Sequence, residues 1–179
     1  MKTCGTCTLC CTVVPVKEID KRSFTPCRHL RTIIHKHGPG CSIYPERPFS
    51  CKGLACVWLD MPEIEEQYRP DRVGFVVDTQ LDVVTVNGND RVAAQIWVEQ
   101  GHEEDWRYSE AAHKFLDALF GNKDITVVLW RISPDYAYIM AEMPDGKIHV
   151  TPEPLRHSSD ALPELDRSRR LRQLMGAEQ

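Results

Sequence analysis

The chain has 179 residues, of which 42% are hydrophobic and 8% aromatic, enough apolar material for a core and too much for wholesale disorder. Its formal charge is −4. Its longest apolar runs, such as residues 73–77 and 127–130, fall far short of the roughly 20 residues a spanning helix needs, so no membrane partner is expected.

Residues 1–57 are expected to form an irregular module that cannot build much core unaided. All eight cysteines lie there: Cys4, Cys7, Cys10, Cys11, Cys27, Cys41, Cys51 and Cys56. Apolar residues are sparse in this stretch, and turn formers recur at Pro15, Pro26, Pro45, Pro48 and Gly53. Such a segment needs covalent or coordinate staples. It is also basic, with nine Lys and Arg against three acids in residues 1–56, a balance of +6 that leaves −10 for the rest. A basic head can suit nucleic acid through counterion release. The reading favoured here is that thiolates offset it, because a divalent ion with four thiolates carries about −2.

Residues 58–151 read as an α+β sheet domain. Strands are predicted over 72–78 and 82–86, and Asn87-Gly88 turns the chain tightly into a third over 91–99, giving an antiparallel meander. Ala112, Phe115, Leu116, Leu119 and Phe120 recur at helical spacing, with Ser109 placed to cap the helix and Gly121 to end it. Two strands over 125–132 and 136–143 join through Ser133-Pro134-Asp135, and Asp145-Gly146 leads into a last one over 147–151. The sheet should therefore hold five or six strands. Residues 152–179 form a tail with an amphipathic helix predicted around 165–175.

The chemistry lies in Cys4-Gly5-Thr6-Cys7-Thr8-Leu9-Cys10-Cys11. A C-x-x-C turn brings two sulfurs to one metal while backbone N–H groups point toward them. Adjacent Cys10 and Cys11 project in different directions, which hints at two centres or a shared polynuclear one. Cys27, Cys41, Cys51 and Cys56 complete the number needed for two four-thiolate sites, and interleaved ligation fits the count equally well. Disulfides are the competing use of so many cysteines. The start Met1-Lys2-Thr3-Cys4 carries no secretory stretch, so the expected compartment is the cytoplasm, where thiols stay reduced. A thioredoxin-type pair would need a strand before the motif and a helix after it. The run C-x-x-C-x-x-C matches the spacing of a [4Fe–4S] ligand set, but no Cys-Pro follows, and both zinc and iron stay open in one or two sites.

With Cys27-Arg28-His29-Leu30 and Cys41-Ser42-Ile43-Tyr44, Arg47-Pro48 and Cys51 joining that run, the first third of the chain resembles the CxxCxxCC family, also called YkgJ-type zinc- or iron-chelating proteins. The resemblance implies that the eight cysteines bind zinc or iron. Flagellin lysine N-methylase is among that family's relatives, which raises a methyltransferase-like alternative. No methyl-donor fingerprint follows Cys56, so only the metal-binding residues carry over.

Arg47-Pro48 could orient a thiolate and Tyr44 could cover the site, although both suit a turn. His29, His35 and His37 are able to bind metal but are not needed beside eight thiols. Trp58, Trp97, Trp106 and Trp130 are read as core, and Glu63, Glu65, Glu66, Glu103, Glu104 and Asp105 as solvated faces. Arg167, Arg169, Arg170 and Arg172 form a basic patch on the tail. The sequence thus predicts an α+β protein in which an irregular cysteine-rich metal-binding module packs on a mostly antiparallel sheet with one or two helices. Three roles follow for the metal: a structural site in a protein- or nucleic-acid-interaction module, an iron–sulfur redox or enzymatic centre, and metal holding or delivery. No catalytic residue or specific partner is assigned.

Overall fold

The computed structural model describes residues 2, 4–31, 40–54, 56–86, 88–123 and 125–154, with backbone only for 79–81. The fold is α+β. Helix α1 (Leu9–Val13), a two-stranded ribbon of β1 (Leu30–Arg31) and β2 (Gly40–Cys41), and short helices α2 (Phe49–Gly53), α3 (Val57–Asp60) and α4 (Pro70–Val73) lead into the main sheet. That sheet contains β3 (Phe75–Val86) and β4 (Asn89–Val98), then β5 (Val127–Arg131), β6 (Tyr136–Glu142) and β7 (Ile148–Pro154), hydrogen-bonded in sequence order. Helices α5 (Asp105–Tyr108) and α6 (Glu110–Phe120) fall between β4 and β5.

The strands predicted at 72–78 and 82–86 are one strand. Asp78 pairs with Gln95 and Asp82 with Ala93, so β3 spends two residues more than β4 over this interval, and its polar residues mark a bulge rather than a break. The expected three-stranded meander is accordingly a long hairpin. Arg72 belongs to α4 instead of the strand. Between them Gly74 has φ +75°, and a Cβ there would stand 2.2 Å from the His102 ring, so both conformation and space demand glycine. All sheet pairs are antiparallel except β4 with β5. A parallel pair needs a long crossover, and the segment holding α5 and α6 supplies it.

Alternation along β3 and β4 then assigns the two faces of the sheet. Phe75, Val77, Ile96 and Val98 point to one side and bury Ala112, Phe115 and Leu116 of α6. Ser109 caps α6 as predicted, its hydroxyl accepting the Ala112 N–H at 3.3 Å, and Phe115 meets Phe75 edge-on at 5.6 Å. Val76 and Trp97 point to the other side and bury Leu9, Val13 and Val14 from the cysteine-rich segment. Farther along that second side, Ala93, Val127, Leu129 and Ala141 form a third apolar cluster.

Among the described residues no helix is long and apolar enough to cross a membrane. The helix predicted around 165–175 and the arginine patch of the tail lie outside the described residues. Trp97 is 7% exposed and forms the seat of the cysteine-rich segment. Trp97→Ala is expected to destabilise the protein by about 3–5 kcal/mol in urea unfolding, whereas Ser109→Ala, which removes only a cap, should cost about 1 kcal/mol.

Candidate metal centre

Helix α1 determines where the first cysteines go. Leu9 and Val13 lie one turn apart on the face that meets the sheet. Cys10 and Cys11 follow Leu9 at successive steps of about 100° round the axis, so their side chains leave in different directions. Ahead of the helix the Cys7 N–H donates to the Cys4 carbonyl at 2.8 Å, closing the C-x-x-C turn. Lys2 anchors this end. Its Nζ donates to the carbonyls of Trp58 (3.0 Å), Met61 (2.8 Å) and Ile64 and lies 4.8 Å over the Trp58 ring, satisfying groups at the end of α3. Cys56 stands at the start of α3 and forms an isolated bridge to Asp78 of β3. Cys7, Cys10 and Cys56 pack against the same apolar cluster on the sheet.

The remaining cysteines stand on a second wall. The Cys27 N–H donates to the Cys11 carbonyl at 2.9 Å, and Cys41 is held in β2 opposite Leu30. Cys51 lies in α2, whose first turn is capped from a distance: the Glu18 carboxylate accepts the Ser50 N–H at 2.9 Å and the Ser50 hydroxyl at 2.7 Å. These two bonds hold the Glu18 carboxyl below its ordinary range. Cys10, Cys11, Cys27, Cys41 and Cys51 all line one cavity of about 70 Å³, together with apolar Val14, Val16, Ile19, Ile43 and Leu54 and with Lys21 and His29.

Lys21 is the cation of this wall. A tight bridge between Val16 and Lys21 turns it inward, and the residue is 8% exposed. Its Nζ donates to the carbonyls of Thr12 (3.3 Å), Val14 and Arg22 (3.3 Å). Burial lowers its pKa, while the neighbouring sulfurs of Cys27, Cys11, Cys10 and Cys51 oppose that shift.

The thiols themselves are in a low-dielectric setting. Burial pushes Cys7 and Cys51 up to about 11 and raises Cys56. The adjacent Cys10 and Cys11 sulfurs push each other apart in pKa, Cys10 upward and Cys11 downward to about 7, with Lys21 assisting the latter. The backbone amides of Leu9 and Asp71 partly oppose the rise at Cys7, and those of Leu59 and Trp58 the rise at Cys56; the His29 N–H donates to the Cys27 sulfur at 3.4 Å. The negative charge of Asp71 adds to the rise at Cys7, and the Asp71 carboxylate is clamped by Arg69 at 2.6 and 2.9 Å. The N–H groups favour sulfur in its charged form, and the thiolate is the form that binds metal.

All eight cysteines are free thiols. Among the described residues no three Cys, His, Asp or Glu side chains stand in ready-made ligating geometry. The residue chemistry suits a thiophilic cation: soft sulfurs, a backbone N–H of His29 donating to Cys27 at 3.4 Å, and a buried lysine lining the cavity with five of them.

Of the other residues weighed from sequence, His29 lines the cavity, and His35 and His37 lie outside the described residues. Arg47 and Pro48 line the cavity as well, but the Arg47 guanidinium stacks 4.1 Å over Tyr44 and donates to its carbonyl at 3.1 Å, which is a turn role. Trp58, Trp97 and Trp130 are buried, and Trp106 packs against the main core. Glu66, Glu104 and Asp105 serve local ion pairs with Arg69, Arg107 and His102. Sequence reasoning missed Lys21, Asp71 and Glu18. Their roles arise from contacts with distant cysteines or with Ser50, and no spacing signals them.

In comparisons with protein-family models, curated proteins and solved structures, nothing matches this chain.

Lys21→Met keeps the aliphatic stem but leaves three backbone carbonyls without their donor. A loss of about 1–3 kcal/mol in urea unfolding of the metal-free protein is expected, with no change in the far-ultraviolet spectrum of the sheet.

Proposed function

We propose that the protein is a thiolate metal-binding protein, holding zinc or an iron–sulfur cluster through Cys4, Cys7, Cys10, Cys11, Cys27, Cys41, Cys51 and Cys56. The observation that carries this reading is the gathering of free thiols: five of them line one cavity beside the buried Lys21, and two others pack next to Cys10 on the sheet. Disulfide pairing would leave Lys21 with no anionic neighbours to justify its burial. Thiolates bound to a cation supply them.

The metal's work in this reading is to order the segment ahead of the sheet. That segment has only a small apolar seat, and coordination supplies the folding energy it lacks. Bound metal offers cross-linking in the case of zinc and electron transfer in the case of an iron–sulfur cluster. The chain's own part is to donate the His29 N–H to Cys27, exclude water with the apolar wall, and offset negative charge with Lys21. A reducing, cytoplasmic setting belongs to the same proposal, as does kinship with the CxxCxxCC family. The first C-x-x-C-x-x-C run favours iron–sulfur as the second reading.

Because metal must displace the protons that burial holds on Cys7 and Cys51, affinity should rise with pH and fall in acid. Anaerobic purification followed by elemental analysis and a visible spectrum tests the reading: zinc without colour, or iron with broad visible absorption, is expected. Cys7→Ser should lower the metal content and loosen residues 1–56 while the sheet keeps its circular dichroism. Protein free of both metals, with its cysteines oxidised in pairs, overturns the reading.

A further inference from the structure

Order along the chain groups the cysteines as Cys4, Cys7, Cys10 and Cys11 against Cys27, Cys41, Cys51 and Cys56. The fold groups them differently. Resting on the thiolate-metal reading above, we propose that the eight sulfurs build two separate four-thiolate centres with interleaved ligands: Cys4, Cys7, Cys10 and Cys56 against the sheet, and Cys11, Cys27, Cys41 and Cys51 around the cavity.

Three contacts move Cys56 to the front group. It pairs with Asp78 on β3, it shares the apolar cluster of Leu9, Val13, Val76 and Trp97 with Cys7 and Cys10, and it does not line the cavity that takes Cys27, Cys41 and Cys51. The Lys2 anchor on the carbonyls of Trp58 and Met61 brings the chain just before Cys4 to the helix that Cys56 begins.

Cys11 moves the other way. It lines the cavity together with Cys27, Cys41 and Cys51, and its carbonyl accepts the N–H of Cys27. The crossing point is the Cys10–Cys11 peptide. Cys10 reaches the cavity wall, yet it also packs with Cys7 and Cys56 on the apolar cluster of the sheet. The helical step between the two residues makes them ligands to opposite sides of a shared wall. Two four-thiolate centres with divalent ions would each carry about −2 and repel across that wall. Lys21 lines the same cavity as Cys10, Cys11, Cys27 and Cys51, where its positive charge would reduce the repulsion.

Paired substitutions separate the two groupings, because two sulfurs lost from one centre spare the other. In zinc-reconstituted protein the wild type should hold about two equivalents. The variant Cys11→Ser/Cys51→Ser should keep about one and Cys51→Ser/Cys56→Ser almost none; chain-order grouping gives the reverse, and that result overturns the interleaving while leaving the thiolate reading intact. A single polynuclear cluster in the wild type overturns it too. Wild-type protein that takes up no zinc and no iron fails at the earlier step, which is a distinct outcome. Since a double variant can lose metal by losing its fold, cadmium-113 resonances of single variants provide the second measurement. Cys56→Ser should move the resonance that Cys7→Ser moves, and Cys11→Ser the one that Cys27→Ser moves. Cys56→Ser and Cys27→Ser moving the same resonance overturns the proposal.

Discussion

The apolar contact of Leu9, Val13 and Val14 with Val76 and Trp97 is the constraint on which the front of the molecule depends. Each such side chain contributes roughly 1.5–3 kcal/mol when fully buried. That is modest for a segment of more than fifty residues with little other core. The contact nevertheless sets the azimuth of α1, and with it the directions in which Cys10 and Cys11 leave the helix. Phe24, at φ +55°, folds back to lie 6.1 Å from the Trp97 ring and closes the seat.

This seat exists because β3 is covered on both faces. Phe75 and Val77 face α6, while Val76 between them faces the cysteine-rich segment. The two layers consequently share one strand, and a change at either face is felt at the other. Polar contacts reinforce the arrangement at its ends. Lys2 ties the start of the chain to α3, Glu18 ties the turn after α1 to α2, and Arg69 reaches Thr6 at 3.3 Å while holding Asp71 beside Cys7.

Charge follows the same geometry. The front of the chain is basic by count, but its most buried cation, Lys21, is surrounded by sulfur and carbonyl oxygen rather than displayed. Under the proposed metal reading Lys21 compensates an internal anionic centre, whereas an external polyanion would be met by exposed cations.

Much of the fold was legible in the sequence. The spacing of Ala112, Phe115 and Leu116 identified α6, Ser109 its cap, and β-branched runs the strands, because these signals depend on neighbours within one or two turns of the chain. The joining of 72–78 and 82–86 into one bulged strand was not legible, since local polarity at Asp78 and Asp82 resembles a turn until β4 pairs across it. The parallel placement of β5 beside β4 was hidden for the same reason. Sequence alone determined which eight residues can act through sulfur and that Cys10 and Cys11 must diverge, because residue type and adjacency are local facts. Only the tertiary structure decided which thiols share a surface, with β3 carrying Cys56 onto the apolar cluster that also holds Cys7 and Cys10 and with Cys11 lining the cavity beside Cys27, because proximity in space comes from sheet register and packing.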